Sequence, residues 1–508
     1  MNNIVMIATI VLYMAMMIWI GIDLSKKNNN TDDYYLGGRT LGPFVTAMSA
    51  EASDMSSWLL MGLPGVALSI GVADAFWTAA GLALGTYLNW LIVAKRLRRY
   101  SEKIGASTIP DFFSNRFRDK SGALLAISAI VIILFFVPYT ASGFAAVGKL
   151  FNSLFGVDYH VALIVGAIVI VIYTAIGGFL AASTTDFIQS IVMTLALVVV
   201  VGFGVYNAGG FENVMANVRE LPGYLSLTAS YDSAAGAAKD YSILTIVSSF
   251  AWGLGYFGMP HVLLRFMAIG DENKLKLSRR IASVWVVISM GVAIFIGVVG
   301  YSFVKNNGID LADPERIIIE FSKAIGSLNI LGAVIAGLII SGILAATMST
   351  ADSQLLAASS SMSENIIRRF FIKDMSDKIS MVFARVTVCL IAIVAVIFAW
   401  NPESSVFGIV SFSWAGFGAA FGPVMMCALF WKRTNLWGAL AGMVSGGATV
   451  LLWQYVIEPF GVKNGIAALS IYELLPAFIV GLAAIIIVSI LTPAPSKEVV
   501  EEYEAVGK

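Results

Sequence analysis

Runs of about eighteen or more apolar residues, separated by short polar stretches, recur along the whole chain. That length matches the hydrocarbon thickness of a bilayer crossed by a helix. The pattern predicts spans near 4–22, 44–66, 70–94, 122–148, 160–178, 184–206, 242–263, 281–303, 328–361, 382–400, 405–431, 436–457 and 469–491, thirteen in all. The first run begins MNNIVMIATI, without the basic start and small-residue cleavage site of a signal peptide, so it is expected to stay as a helix. Composition agrees with an all-α polytopic membrane protein, at 58% hydrophobic and 13% charged residues.

Two of the runs are interrupted in a way that changes the picture. The segment FVTAMSAEASDMSSWLLMGLPGV carries Glu51 and Asp54 among small residues, with Gly62, Pro64 and Gly65 beyond. A carboxylate near the bilayer centre costs at least ~2.5 kcal/mol on insertion scales, so it is expected to face an ion, a cavity or a partner. A helix that opens partway across would expose backbone carbonyls there. The alternative is a packed helix whose serines bond back to their own backbone. About 200 residues later, SFAWGLGYFGMPHVLLRF is interrupted by Gly253, Gly255, Gly258 and Pro260. Each interrupted span opens a group of five, so two units of opposite orientation are expected, spans two to six (44–206) and seven to eleven (within 207–431). Residues 1–43 form a first helix and loop, 432–491 two peripheral helices, and 492–508 a tail expected to be charged and disordered.

The formal charge is zero because 32 basic and 32 acidic residues cancel. Their distribution is informative. The loops 23–43, 95–121, 179–183, 264–280, 362–385 and 432–435 and the tail carry 25 of the 32 Lys and Arg. The positive-inside rule then places the N-terminus outside and the C-terminus in the cytoplasm. Lys95, Arg96, Arg98 and Arg99 read as snorkelling anchors, and Arg39 as an anchor or part of an inner gate. Cys389 and Cys427 lie in apolar segments and read as inert buried thiols.

Candidate chemistry lies on oxygen-bearing side chains. Span nine contains GILAATMSTADSQLL, whose Ser349, Thr350, Ser353 and Asp352 offer hard oxygen ligands suited to an alkali cation. Small-residue packing with internally bonded hydroxyls is the competing reading. Asp186, about a turn inside span six, is expected to cap a helix N-terminus or to ligate an ion. Pro138 is expected to kink span four and free a carbonyl, beside Tyr139. Trp252 and Tyr256, four apart, are expected on one helical face. His261 reads as a boundary residue, and the glycine-rich SWAGFGAAFGPVMM as a close-packing or hinge segment. There is no P-loop, nucleotide fingerprint, metal cluster or nucleophile elbow, which leaves an ATP-driven pump or membrane enzyme without support.

The combination YYLGGRTLGPFVTAMSAEASDMSSWLLMGLPG, YTAIGGFLAASTTDFIQ, AWGLGYFGMPHVLLRFMA, GILAATMSTADSQLL and SWAGFGAAFGP resembles the sodium/proline symporters of the sodium:solute symporter family. The resemblance implies thirteen helices and a LeuT-type five-plus-five inverted repeat with two broken helices. It also implies sodium as coupling ion, no other cofactor, a small organic solute such as L-proline, and a multi-pass place in a prokaryotic plasma (inner) membrane, with no nucleic-acid partner. By motif match the sodium ligands fall on Ala52 and Met55 and on Ala346, Ser349 and Thr350, with Asp54 needed for sodium-dependent function. Substrate contacts map onto Tyr139, Trp252, Tyr256 and Pro260. Some family members bind a second sodium between the same helices, which makes Asp186, Asp352 and Ser353 candidates for a second site.

Three departures touch the solute. Glu51 and Ser57 replace glycines, and Met259 replaces a glutamine, relative to the usual SAGASDMSGW and GYFGQPH. Proline is the first expectation, with another amino acid, a monocarboxylate or pantothenate as the alternative. A channel would call for a symmetric pore segment and a transport-like sensor for an appended signalling domain.

Overall fold

The computed structural model describes residues 2–26, 30–372 and 374–506. Among these, ten helices are long and apolar enough to cross a membrane, and a bent pair, Ile243–Phe257 with Pro260–Ala268, makes an eleventh. The predicted spans 160–178 and 184–206 are two helices that meet directly at Gly178 (φ 69°, ψ −175°) within Tyr159–Asn207, with no loop between them. At 1.5 Å per residue these 49 residues are long enough for two crossings. Span two is divided into Pro43–Asp54, a wide turn Trp58–Gly62 and Leu63–Ile70.

Burial sorts the helices into centre and periphery. The apolar window of Val406–Phe430 is 89% buried and that of Ile330–Phe371 72%, against 28% for both Asn2–Ser25 and Leu474–Leu491. The central helices are built from Gly, Ala and Ser, which let backbones approach closely without leaving polar groups in lipid. The peripheral ones expose Ile, Leu and Val, as a lipid-facing surface requires.

The two broken helices meet at the basic end of the molecule, the end that carries Lys95 to Arg99. Leu41 donates its N–H to the Ala268 carbonyl (3.2 Å) and accepts from Gly270 (3.0 Å), tying the start of the first to the end of the second. Arg39 is not a lipid anchor. Its guanidinium donates to the carbonyls of Met267 and Ala106 (both 2.7 Å) and to Ser101 Oγ (3.1 Å), spanning three segments. Nor do the neighbouring cations simply snorkel. Arg98 is buried and donates to the Ile269 carbonyl (2.7 Å), Arg99 grips Glu272, and Arg96 lies over Tyr503 (4.6 Å).

The tail corrects the expectation of disorder. Lys497–Val506 is a helix with Val499 and Val506 buried. Tyr503 packs beneath Arg96 and Arg116, and Glu502 and Glu504 pair with Arg118 and Lys432. Amphipathic spacing of two valines supplied the apolar face, and the acidic face met basic loops. Cys427 is buried as expected, whereas Cys389 is exposed on the outer side of its helix. Pro138 sits inside a helix that runs on from Ala123 to Phe155.

At the opposite end, Lys149 is buried and pairs with Glu315 and Asp313 (both 2.9 Å). Glu315 also accepts from Ser405 Oγ (2.9 Å) and from the amides of Val406 and Phe407 (3.0 Å each). A carboxylate on the first amides of a helix is favoured by its dipole, and here it fixes the start of Val406–Phe430.

Candidate functional site

The first broken helix ends at Asp54, and Met55 (φ −83°, ψ 68°) turns the chain out of the helical path. Carbonyls there lose their intrahelical partners and turn to side chains. The Asp54 carbonyl accepts from Tyr139 Oη (3.1 Å) and from Trp58 Nε1 (3.3 Å). The Ala52 carbonyl accepts from Ser349 Oγ at 2.8 Å. Ser349 is on the hydroxyl-rich helix Ile330–Ser360 and also reaches the Ala346 carbonyl one turn back (3.1 Å). Thr350, the next hydroxyl, is buried with its Oγ1 unpartnered.

The structure therefore brings Ala52, Ala346 and Ser349 into direct hydrogen bonding, with Thr350 adjacent in the chain. These are oxygen donors, the set a hard cation takes. A serine hydroxyl can rotate its hydrogen away and present lone pairs. Among the described residues no group of three or more His, Cys, Asp or Glu could hold a metal ion, so a transition-metal centre finds no ligand cluster here.

Asp54 is fully buried, and Tyr256 donates its hydroxyl to Oδ2 while Oδ1 has no partner. Tyr139 and Tyr256 thus converge on one residue, the first on its carbonyl and the second on its carboxylate. Trp252 and Tyr256 do not share a helical face. They lie in a tight three-residue-per-turn segment, Ala251–Phe257, where positions four apart are rotated by roughly 120°. Trp252 instead stacks on Tyr472 (5.0 Å) and Trp414 (6.3 Å), near Trp58 (6.1 Å) and Phe407 (5.2 Å). Trp414 locks the assembly by donating Nε1 to the Trp252 carbonyl (2.7 Å). Gly255 is required beneath it, because a Cβ there would overlap the Trp414 indole.

Pro260 opens the helix Pro260–Ala268, where its missing N–H costs nothing. His261, expected at a boundary, is fully buried beside Phe136 (5.6 Å) and Tyr139 (6.5 Å). Met259 is likewise fully buried. Glu51 accepts from Trp90 Nε1 (2.9 Å), so the departure from glycine has a built partner on the helix Val72–Lys103.

Asp186 caps nothing. It lies two turns past the break at Gly178, fully buried, and accepts from Ser49 Oγ (2.6 Å) and Arg265 Nη2 (3.1 Å). Ser353 also accepts from Arg265 Nη2 (2.6 Å) and donates to Asp352 Oδ1 (3.1 Å). The three residues singled out for a second cation do come together, with an arginine among them. The charge pattern places Arg265 in the basic loop 264–280, whereas the structure puts it inside the helix Pro260–Ala268. The signal against the loop is its position inside the apolar run VLLRFMA, one and a half turns past Pro260.

The profile of the sodium:solute symporter family matches residues 34–446. The high-affinity proline transporter PutP of Bacillus subtilis is 45% identical over 490 residues, covering 96% of this chain and 98% of the relative. The sodium/proline symporter of Escherichia coli is 42% identical over 496 residues, covering 97% and 94%. Among solved structures, a Na+-coupled sialic acid symporter in a substrate-bound outward-open state superposes with a TM-score of 0.78 at 19% identity, covering 97% of this chain and 99% of that one. Mhp1, a nucleobase-cation-symport transporter, superposes with a TM-score of 0.52 at 13% identity, over 93% and 98%. The fold is the LeuT type.

Proposed function

Because this chain belongs to the sodium:solute symporter family, we propose that it carries L-proline into the cell together with sodium by alternating access. The observation that carries the reading is the Ser349–Ala52 hydrogen bond, which joins the hydroxyl-rich helix to the break in the first broken helix. In this reading sodium takes the oxygens of Ala52, Met55, Ala346, Ser349 and Thr350. Bound there, it pulls the two helices together and fixes Asp54 and its carbonyl. Tyr139 and Tyr256 hang from those same groups, so the solute pocket is completed only when the cation is held. That is coupling between two ligands, and it is reciprocal.

The proline ring packs against Trp252 and the tyrosines, and its carboxylate takes the amides freed at the breaks. Neutral substitution of glutamine by Met259 leaves an apolar wall at that point. Inward movement of one unit charge down 100 mV releases ~2.3 kcal/mol, about fifty-fold accumulation before the sodium gradient is counted. The basic end faces the cytoplasm, with the N-terminus outside. Moving Arg265 from a loop into the helix interior leaves 24 of the 32 basic residues on that side, so the bias survives. Residues 44–206 and 207–431 hold the two inverted units, and the last two spans lie outside them.

Uptake of radiolabelled proline into proteoliposomes tests the reading. An inward sodium gradient should drive accumulation that an equal potassium gradient does not. Uptake indifferent to sodium, or accumulation of a monocarboxylate in place of proline, overturns it.

A further inference from the structure

Three helices bring oxygen atoms to one buried point beside the second broken helix. Ser49 comes from Pro43–Asp54, Asp186 from Tyr159–Asn207 and Ser353 from Ile330–Ser360. All three contact the Arg265 guanidinium. Nε lies 3.0 Å from Ser49 Oγ, while Nη2 lies 3.1 Å from Asp186 Oδ2 and 2.6 Å from Ser353 Oγ. Nη1 adds the His261 carbonyl at 3.0 Å, and the Phe179 ring lies 4.9 Å from the guanidinium carbon. Hydroxyl, carboxylate and carbonyl oxygens around one point are an alkali-cation environment. Here a cation that is part of the chain takes them.

We infer that Arg265 is a tethered cation filling a second ion position between Asp186 and Ser353, so that the cycle runs with one mobile sodium per solute. The inference depends on the sodium-symport reading above. Its physical basis is charge. Arginine stays protonated and presents five donors in a fixed fork, enough to serve three helices at once. A buried carboxylate needs such a partner, and stripping it away leaves an uncompensated charge. Because Arg265 returns with the protein at the end of each cycle, it contributes no net charge movement, whereas a sodium at the same point would. Asp186 Oδ1 and Asp352 Oδ2 are buried without a hydrogen-bond partner. Removing the guanidinium would therefore leave two carboxylates with free oxygens, and sodium is the cation supplied to them in transport.

Arg265 lies on Pro260–Ala268, the half of the second broken helix that follows the break. Ser349, a ligand in the proposed sodium site, accepts at its carbonyl from Ser353 Oγ (2.9 Å), so the two positions share one turn of helix. The tethered charge thus sets the field next to the mobile ion without competing for its ligands.

Sodium and proline fluxes measured together in proteoliposomes, with sodium binding to the purified protein, decide the matter. The parent should move one sodium per proline. Arg265→Gln should bind two sodium ions and show a steeper sodium dependence, and adding Asp186→Asn should return binding to one. Arg265→Lys, which keeps the charge, should hold the parent ratio. One bound sodium in a folded Arg265→Gln overturns the inference. So does a ratio of two in the parent, which needs no variant to fold. Absence of any sodium-dependent proline uptake in the parent condemns the functional reading instead, so the two failures are distinguishable.

Discussion

Ser349 Oγ donates to the Ala52 carbonyl across 2.8 Å, linking two helices 297 residues apart in the chain. The bond spans the point where the first broken helix opens, and it is the contact a sodium ion would replace. Loss of a hydrogen-bonding oxygen to a charged group costs about 1.5–3 kcal/mol. Ser349→Ala and Thr350→Ala are each expected to raise the sodium concentration for half-maximal uptake by roughly tenfold or more. Proline recognition at saturating sodium should change far less. Parental sodium dependence in both variants rejects the assignment.

Tyr256→Phe isolates the role of Asp54. Among the described residues the tyrosine supplies the one hydrogen bond to that carboxylate, since Oδ1 is unpartnered. Without it a fully buried acid has no donor, and a desolvated charge of that kind is costly. The expected outcome is weaker sodium binding together with lower thermal stability in sodium-free buffer. Because the two residues act as one unit, adding Asp54→Asn should cost little more, which a double-mutant cycle reads directly.

Gly255→Ala tests the aromatic assembly by volume alone. A methyl group there collides with Trp414, whose indole holds the Trp252 carbonyl. Proline affinity should fall sharply while sodium binding persists. A variant with parental affinity would show that the stack of Trp252, Trp414 and Tyr472 is scaffolding remote from the solute.

Much of this was legible in the chain. Run length pointed to the spans and the paired interruptions to the broken helices; of the residues named from the chain, Ser349 bonds to Ala52, and Tyr139 and Tyr256 both bond to Asp54. What was missed depended on long-range packing. Trp414 and Tyr472 look like ordinary membrane aromatics until they stack on Trp252. Arg265 looked like one more basic residue at a span end, and only the fold shows it meeting Asp186. Helix type mattered too: an α-helical reading of positions 252 and 256 fails in a three-residue turn. The tail was misjudged because its few apolar residues find a surface that no local pattern reveals.

Asp111 gives a pH signature outside the membrane spans. It caps the helix Ile109–Arg116, pairs with Asn365 (2.7 Å), and burial pushes its carboxyl up to about 6, with nearby Glu364 adding to the shift. A carboxyl raised in the folded state binds more protons than in the unfolded chain, so its contribution to stability falls as pH rises from about 4 to about 6. Thermal stability of the purified parent should therefore gain, relative to Asp111→Asn, when pH is lowered from 7 to 5. Parallel pH profiles for the two proteins contradict this.

The most direct test of the coupling scheme is equilibrium binding of both ligands to the purified protein. Proline affinity measured with and without sodium, and sodium affinity with and without proline, should rise by one common factor. In Ser349→Ala the same factor should be reached only at sodium concentrations roughly tenfold higher, because the weakened ion site fills later. Proline affinity equal in sodium and in potassium would contradict the account, because the pocket would then form without the ion that is proposed to complete it.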